Sequence, residues 1–136
     1  MAHRELTQTL AEVLGEVATV TAEPDGSLTV AVAGAVAALR VLTVADGLEM
    51  VSLNQPLAWD LPDTAETRDT VLRQAAATML GTVTAVERPD PDAAGTVVDV
   101  LLRYNFPGSG LSAEALRTLI LMVLAAGADL RRELLG

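Results

Sequence analysis

Hydrophobic and polar residues alternate most clearly in the C-terminal third of the chain, between Val97 and Phe106. Side chains two positions apart share one face of a strand, and here that face would carry Val98, Val100, Leu102, Tyr104 and Phe106. The opposite face would carry Asp99, Arg103 and Asn105 together with Val97 and Leu101. The pattern predicts a half-buried antiparallel strand, with a solvated ion pair between Asp99 and Arg103.

A helix is predicted directly after this strand and a turn at residues 107–110. Ser112 occupies the N-cap position and Glu114 adds negative charge to the first turn, and both features stabilise the start of a helix. The residues from 119 to 126 are apolar around the whole helical circumference, so both sides of this helix need a cover. The cover comes either from the rest of the domain or from another subunit. The outward face would present Leu121, Leu124, Ala125 and Ala128.

The preceding segments predict two further helices and a series of short strands. A first helix is expected from about Arg4 to Val13 or Leu14, and the Asp-Gly pairs at 25–26 and 46–47 predict tight turns between antiparallel strands. The proline-bracketed segment 54–62 is expected to lead from a frayed strand end into a second helix. Asp63 and Glu66 would cap that helix, and Gly81 would end it. Its apolar stripe would consist of Val71, Leu72, Ala75, Ala76, Met79 and Leu80.

Together these elements predict one α+β domain that spans residues 1–136. The expected order is α-β-β-β(-β)-α-β-β-α, in which five or six antiparallel strands form a sheet and three helices pack on it. A chain of 136 residues is long enough to bury a core without metal or disulfide bonds.

The charge balance excludes several classes of partner. The net charge is −9 and all nine basic residues are arginine. Such a surface repels phosphate, so we expect neither nucleic acid nor an anionic membrane as a partner. The chain has no cysteine, which excludes thiol catalysis and leaves the redox compartment open. The N-terminus lacks a signal pattern and the longest apolar run is too short to cross a bilayer, so we expect a cytoplasmic protein.

Residues with catalytic or metal-binding potential are few. His3 is the single histidine, and its place near the start indicates a tail rather than a metal ligand. The stretch PGSG from Pro107 has the composition of a turn, and PDPD from Pro89 that of a solvated loop. Asp60, Asp63 and Glu66 form an acidic cluster near Trp59, but helix capping already accounts for Asp63 and Glu66. We therefore predict neither a cofactor nor a metal.

The order of elements resembles the type III secretion chaperone-like fold, and in particular its YbjN-type branch. The likeness lies in the first helix, the hairpin at 25–26, the helix at Asp63, the stretch LRYNFPGSGLS and a last helix with Ala128-Asp129-Leu130. The resemblance implies a small, acidic, non-catalytic homodimer that binds segments of other proteins along apolar grooves. It also implies that the middle helix lies at the dimer interface, formed by Val71, Leu72, Ala75, Ala76 and Met79. Leu121 and Leu124 would then be partly covered by the first helix.

Two hypotheses about function follow. The first is a protein-binding module that forms a homodimer and receives an unidentified protein client on apolar surfaces, with Leu121 and Leu124 added to the interface residues of the middle helix. The alternative is a small-molecule-binding or enzymatic domain that uses Asp60, Asp63 and Glu66 near Trp59. A closed pocket that collects these carboxylates would favour the alternative, whereas an open apolar groove would favour the first hypothesis.

Overall fold

The computed structural model describes residues 2–136, with side chains described from residue 5 onward. It has the predicted α+β fold, in which three helices and a six-stranded antiparallel sheet follow the order α-β-β-β-β-α-β-β-α. The elements are α1 (Ala2–Gly15), β1 (Thr19–Ala22), β2 (Leu28–Val32), β3 (Ala35–Ala45), β4 (Leu48–Pro62), α2 (Ala65–Ala77), β5 (Thr82–Pro89), β6 (Thr96–Pro107) and α3 (Ala113–Leu135).

The sheet has the strand order β1-β2-β3-β4-β6-β5, so β6 lies between β4 and β5 and β5 forms one edge. One face of the sheet builds a single core with residues of all three helices, among them Leu14, Val71 and Ile120. The other face leaves Val36, Leu42 and Val44 of β3 exposed. The helices thus cover one face, which fits an antiparallel sheet with one solvated side.

The predicted register of β6 is confirmed. Val98, Val100, Leu102 and Phe106 are buried in the core, and Tyr104 is half-buried and stacks on Phe106 with ring centroids 5.1 Å apart. The predicted N-cap is also confirmed, because the Ser112 hydroxyl accepts a hydrogen bond of 3.0 Å from the backbone N–H of Ala115. In the turn before it, the Ser109 hydroxyl accepts a bond of 2.8 Å from the N–H of Glu49, which ties this turn to β4.

The segment 54–62 differs from the prediction, because β4 continues through it to Pro62. Pairing between β3 and β4 stops at Ala38 and Asn54, two residues before Pro56. Proline has no N–H to donate to a neighbouring strand, so the ladder on that side ends there. Pairing with β6 continues on the other side through two irregularities, and Asp60 adopts a φ of 58° at the second. The sheet is therefore split between β3 and β4 at this end.

The ends of α2 also differ from the prediction. Its N-cap is Thr64 rather than Asp63, since the Thr64 hydroxyl accepts a bond of 3.2 Å from the N–H of Thr67. The helix ends at Ala77, well before Gly81. Gly81 instead lies just before β5, where this strand comes close to β6, and its φ is 85°. A Cβ at this position would lie 2.8 Å from the carbonyl oxygen of Arg103, which is too close. A glycine is needed there for the close strand approach, and the helix has its own stop at Thr78.

Candidate functional site

Helix α2 is only loosely integrated into the domain. Of its 13 residues, Val71 and Gln74 are buried. Val71 packs into the core, and the Gln74 side-chain amide donates a bond of 3.2 Å to the carbonyl oxygen of Leu130 in α3. A helix of this length is marginally stable on its own and depends on packing of one face. The described chain supplies little of that packing.

The exposed side of α2 carries an apolar strip beside the exposed Asp69 and Arg73. The side chain of Leu72 is 67% exposed and that of Met79 is 90% exposed, and Ala75 and Ala76 are exposed between them. Leu72, Ala75 and Ala76 share one face by helical spacing, and Met79 follows two residues after the helix ends. We call these four residues the α2 surface. Its two alanines leave room for a close approach by another element.

The other residues of the predicted interface lie elsewhere. Val71 is in the core, Leu121 is half-buried, and Leu124 is 1% exposed. The prediction of an outward Leu124 is therefore wrong. A helix that is apolar on every side gives no indication of its rotation, and contacts with β3 and β4 have turned Leu124 inward. The outward face of α3 consists of Thr118, Met122, Ala125 and Asp129.

Most of the apolar surface of α3 is covered within the domain. The helix contacts β3 and β4 below it, α1 on one side and α2 near its C-terminal end. Leu119, Leu130 and Leu134 pack against the edge of the core. Met122 is the large apolar side chain that stays exposed in the middle of this helix. Of the two sources of cover left open by the sequence, the domain itself supplies the larger part.

A groove of about 300 Å³ runs beside the α2 surface, between α2 and the edge strand β5. It is lined by Arg68, Val71, Leu72, Ala85, Glu87 and Val98. None of the described strands pairs with the outer side of β5, which leaves the outward backbone groups of this strand available for pairing. Sequence reasoning missed this groove, because the position of β5 at the edge depends on the insertion of β6 between β4 and β5.

Ion pairs rather than burial join the start of α2 to the sheet. Arg68 donates from Nε to Asp63 Oδ1 at 2.9 Å and also pairs with Glu87 of β5. The Thr96 hydroxyl donates to the other oxygen of Asp63. The bonds from Thr96 and then from Arg68 lower the pKa of Asp63 below its usual value. Asp63 is thus an ionised anchor for the start of α2.

A second cluster joins three strands around Asp99. Arg88 of β5 holds Asp99 of β6 in a two-point contact, with Nε to Oδ2 at 2.6 Å and a terminal nitrogen to Oδ1 at 3.0 Å. Arg88 also pairs with Asp60 of β4, whose backbone N–H donates to Asp99 Oδ1 at 2.9 Å. These contacts, led by the bond from Arg88, lower the pKa of Asp99 despite its burial.

The predicted pair between Asp99 and Arg103 is therefore wrong. Arg103 donates instead to the side-chain oxygen of Asn54 on β4 at 3.2 Å. Residues four apart along a strand lie far from each other, whereas neighbours on adjacent strands lie close. Arg88 reaches Asp99 because β5 pairs with β6 and places Arg88 opposite Val97.

The three carboxylates near Trp59 in the sequence do not share one pocket in the fold. Asp60 pairs with Arg88 and Asp63 with Arg68, while the exposed Glu66 lines a different depression beside Thr70 and Glu133. The cleft that contains Trp59 is lined by none of these three carboxylates. Among the residues of the described part of the chain, no three His, Cys, Asp or Glu side chains are grouped so that they could hold a metal ion. The side chain of His3 lies outside the described side chains.

The described helices include none that is long and apolar enough to span a membrane. Comparisons of the chain with protein-family models and with curated proteins found no match.

Proposed function

We propose that this chain is a non-catalytic protein-binding module that forms a homodimer through the α2 surface. The exposure of Leu72 and Met79 on a helix that buries only two side chains carries the proposal. Large apolar side chains exposed next to each other normally mark a contact with another molecule. A second copy of the chain would shield both side chains and support a helix that packs weakly within its own domain.

The size of a stable interface indicates that β5 contributes as well. A helix of 13 residues is about 20 Å long, whereas each partner of a standard interface buries about 800 Å². Helix α2 alone offers too little area. The adjoining groove and the edge strand, with Ala85 and Glu87 on the side of α2, lie next to the α2 surface and extend it.

The resemblance of the element order to the type III secretion chaperone-like fold, in its YbjN-type branch, supports the same proposal. The middle helix of that fold commonly lies at the dimer interface. We extend the proposal to a protein client in the cytoplasm, received as a segment on the uncovered face of the sheet beside Val36, Leu42 and Val44. The net charge of −9 disfavours nucleic acid as the partner.

Light scattering after size exclusion tests the dimer at tens of micromolar protein. We expect a dimer for the wild type, and a folded monomer for Ala76→Arg and Met79→Glu, because an unpaired charge buried at a contact costs several kcal/mol. Both positions are exposed in the single chain, so the fold of the monomer tolerates the change. Circular dichroism verifies the fold of each variant.

Met122→Glu is the matched control, since it places the same charge on the exposed side of α3. We expect this variant to remain a dimer. A monomeric wild type would refute the proposal. A monomer for Met122→Glu together with a dimer for Met79→Glu would move the interface to α3.

A further inference from the structure

A cleft of about 540 Å³ lies where the sheet splits between β3 and β4. One wall is the start of β3 with Val36, and the other is the segment of β4 from Gln55 to Trp59. The C-terminal part of α3 covers it with Ala128, Arg131, Arg132 and Leu135. The cleft exists because Pro56 cannot donate a backbone hydrogen bond to β3 at this point. We call it the β3–β4 cleft.

Most residues that line the β3–β4 cleft are apolar, and its charged residues, on α3, are positive. Trp59 is 57% exposed, and Val36 and Leu135 also show large apolar surfaces. The charged residues of the lining are Arg131 and Arg132, and none of the lining residues is acidic. The positive charge of the cleft is opposite in sign to the net charge of the whole chain, which has 18 acidic residues and nine arginines.

Arg131 is the free cation of this site. The other arginines between residues 5 and 136 all donate to an acceptor: Arg40 to Asp25, Arg68 to Asp63, Arg73 to Thr70, Arg88 to Asp99, Arg103 to Asn54, Arg117 to Glu16 and Arg132 to Asp129. Within the same range of side chains, the Arg131 guanidinium alone has no hydrogen bond or ion pair. Arg132, in the last turn of α3, already complements the helix dipole, so Arg131 is not needed for that purpose.

A buried amide lies in the same cleft. Gln55 is 2% exposed, and its side-chain nitrogen donates to the carbonyl oxygen of Leu124 at 3.3 Å. Its Oε1 has no hydrogen-bond partner among the described atoms. This oxygen lies against Gly127 of α3, which does not line the cleft. The cleft thus combines an apolar surface, an aromatic ring and a free cation.

We infer that the β3–β4 cleft binds a small organic acid with an apolar body, whose carboxylate pairs with Arg131 and whose body packs between Trp59, Val36 and Leu135. Ligand sites typically have volumes of about 300–1,000 Å³ and a mainly apolar lining with a few polar groups, and the β3–β4 cleft meets both conditions. An arginine without a protein partner offers two parallel donors to a carboxylate. No residue of the α2 surface lines the cleft, so this site is separate from the proposed dimer interface, whereas Val36 belongs both to the cleft and to the proposed client surface.

Trp59 is the single tryptophan, so its fluorescence reports directly on the cleft. We expect decanoate, below its micellar concentration, to change the emission in a saturable way. Decan-1-ol has the same chain without the charge and should bind about tenfold more weakly, as expected for the loss of one charge-assisted contact. Decylamine, with the opposite charge, should not give a saturable change.

Arg131→Gln should weaken decanoate binding about tenfold while circular dichroism stays that of the wild type, because this side chain is exposed and unpaired. Arg103→Gln removes the same charge from a strand outside the cleft and should leave the affinity unchanged. A non-saturable response, equal affinities for decanoate and decan-1-ol, or an unchanged affinity of Arg131→Gln would overturn the inference. So would a peptide with a free C-terminal carboxylate that binds where decanoate does not, since the cleft would then be a peptide site.

Discussion

Helices α2 and α3 begin with the same kind of cap but differ in how many of their residues are buried. Both start at a hydroxyl N-cap, Thr64 in α2 and Ser112 in α3. Helix α3 then buries five residues from Leu116 to Gly127 over the middle of the sheet, whereas α2 buries two over the edge strand. The position over the sheet decides how much apolar surface a helix can bury. Ile120 of α3 therefore contributes to the core of the domain, whereas Leu72 of α2 stays exposed.

The largest expected effect tests this difference in burial. Ile120→Ala should lower the free energy of unfolding by about 2–5 kcal/mol, because it empties a fully buried position of α3. Leu72→Ala should change it by less than about 0.5 kcal/mol at concentrations where the monomer dominates, since this position is exposed. Urea denaturation followed by circular dichroism measures both. Similar losses at the two positions would mean that α2 packs in the monomer as firmly as α3.

The next effect tests how closely α3 approaches the sheet. A Cβ at Gly127 would lie 2.2 Å from Oε1 of Gln55, so Gly127→Ala should cost about 1–3 kcal/mol in spite of the better helix propensity of alanine. The same change in a Gln55→Ala background should cost much less, because the obstructing side chain is gone. A double-mutant cycle from thermal or urea unfolding gives the coupling. Additive effects would show that the two residues do not touch.

The smallest effect concerns the ion pairs that hold the start of α2. The pKa of Asp63 is lowered in the folded protein, so its stabilising contribution is complete above its ordinary pKa of 3.8 and is lost as the pH falls through the lower folded value. We expect hydrogen-exchange protection of α2 to decrease relative to that of α3 below about pH 4. The decrease should be weaker in Asp63→Asn. An equal loss of protection in both helices would place the pH-sensitive contacts outside α2.

The sequence predicted most of the fold because its signals were local. The two Asp-Gly turns, the alternation from Val98 to Phe106 and the Ser112 cap each depend on neighbouring residues, and all are present in the structure. The extent of β4 was missed, because Pro56 lies in a strand that pairs fully on one side only. A proline in a segment of unknown neighbours is more simply interpreted as a strand end.

The candidate sites were less predictable because they depend on which elements meet. The free side of α2 follows from the place of β5 at the edge of the sheet, and the rotation of α3 follows from its contacts with β3 and β4. Trp59 was expected to lie next to acidic residues that are its neighbours in sequence. In the fold it lines the same cleft as Arg131, which is 72 positions away along the chain. Only the split of the sheet brings these two residues into one cleft.

The insertion of β6 between β4 and β5 also determines the order in which the sheet can grow during synthesis. Strands β1 to β4 pair with their neighbours in sequence, so they can assemble as soon as residue 62 has left the ribosome. Strand β5 pairs with β6 alone, and β6 is complete only at residue 107. Helix α2 and β5 therefore wait for the last third of the chain, and we expect nascent chains that stop before residue 96 to expose the unpaired side of β4 and to depend on chaperones.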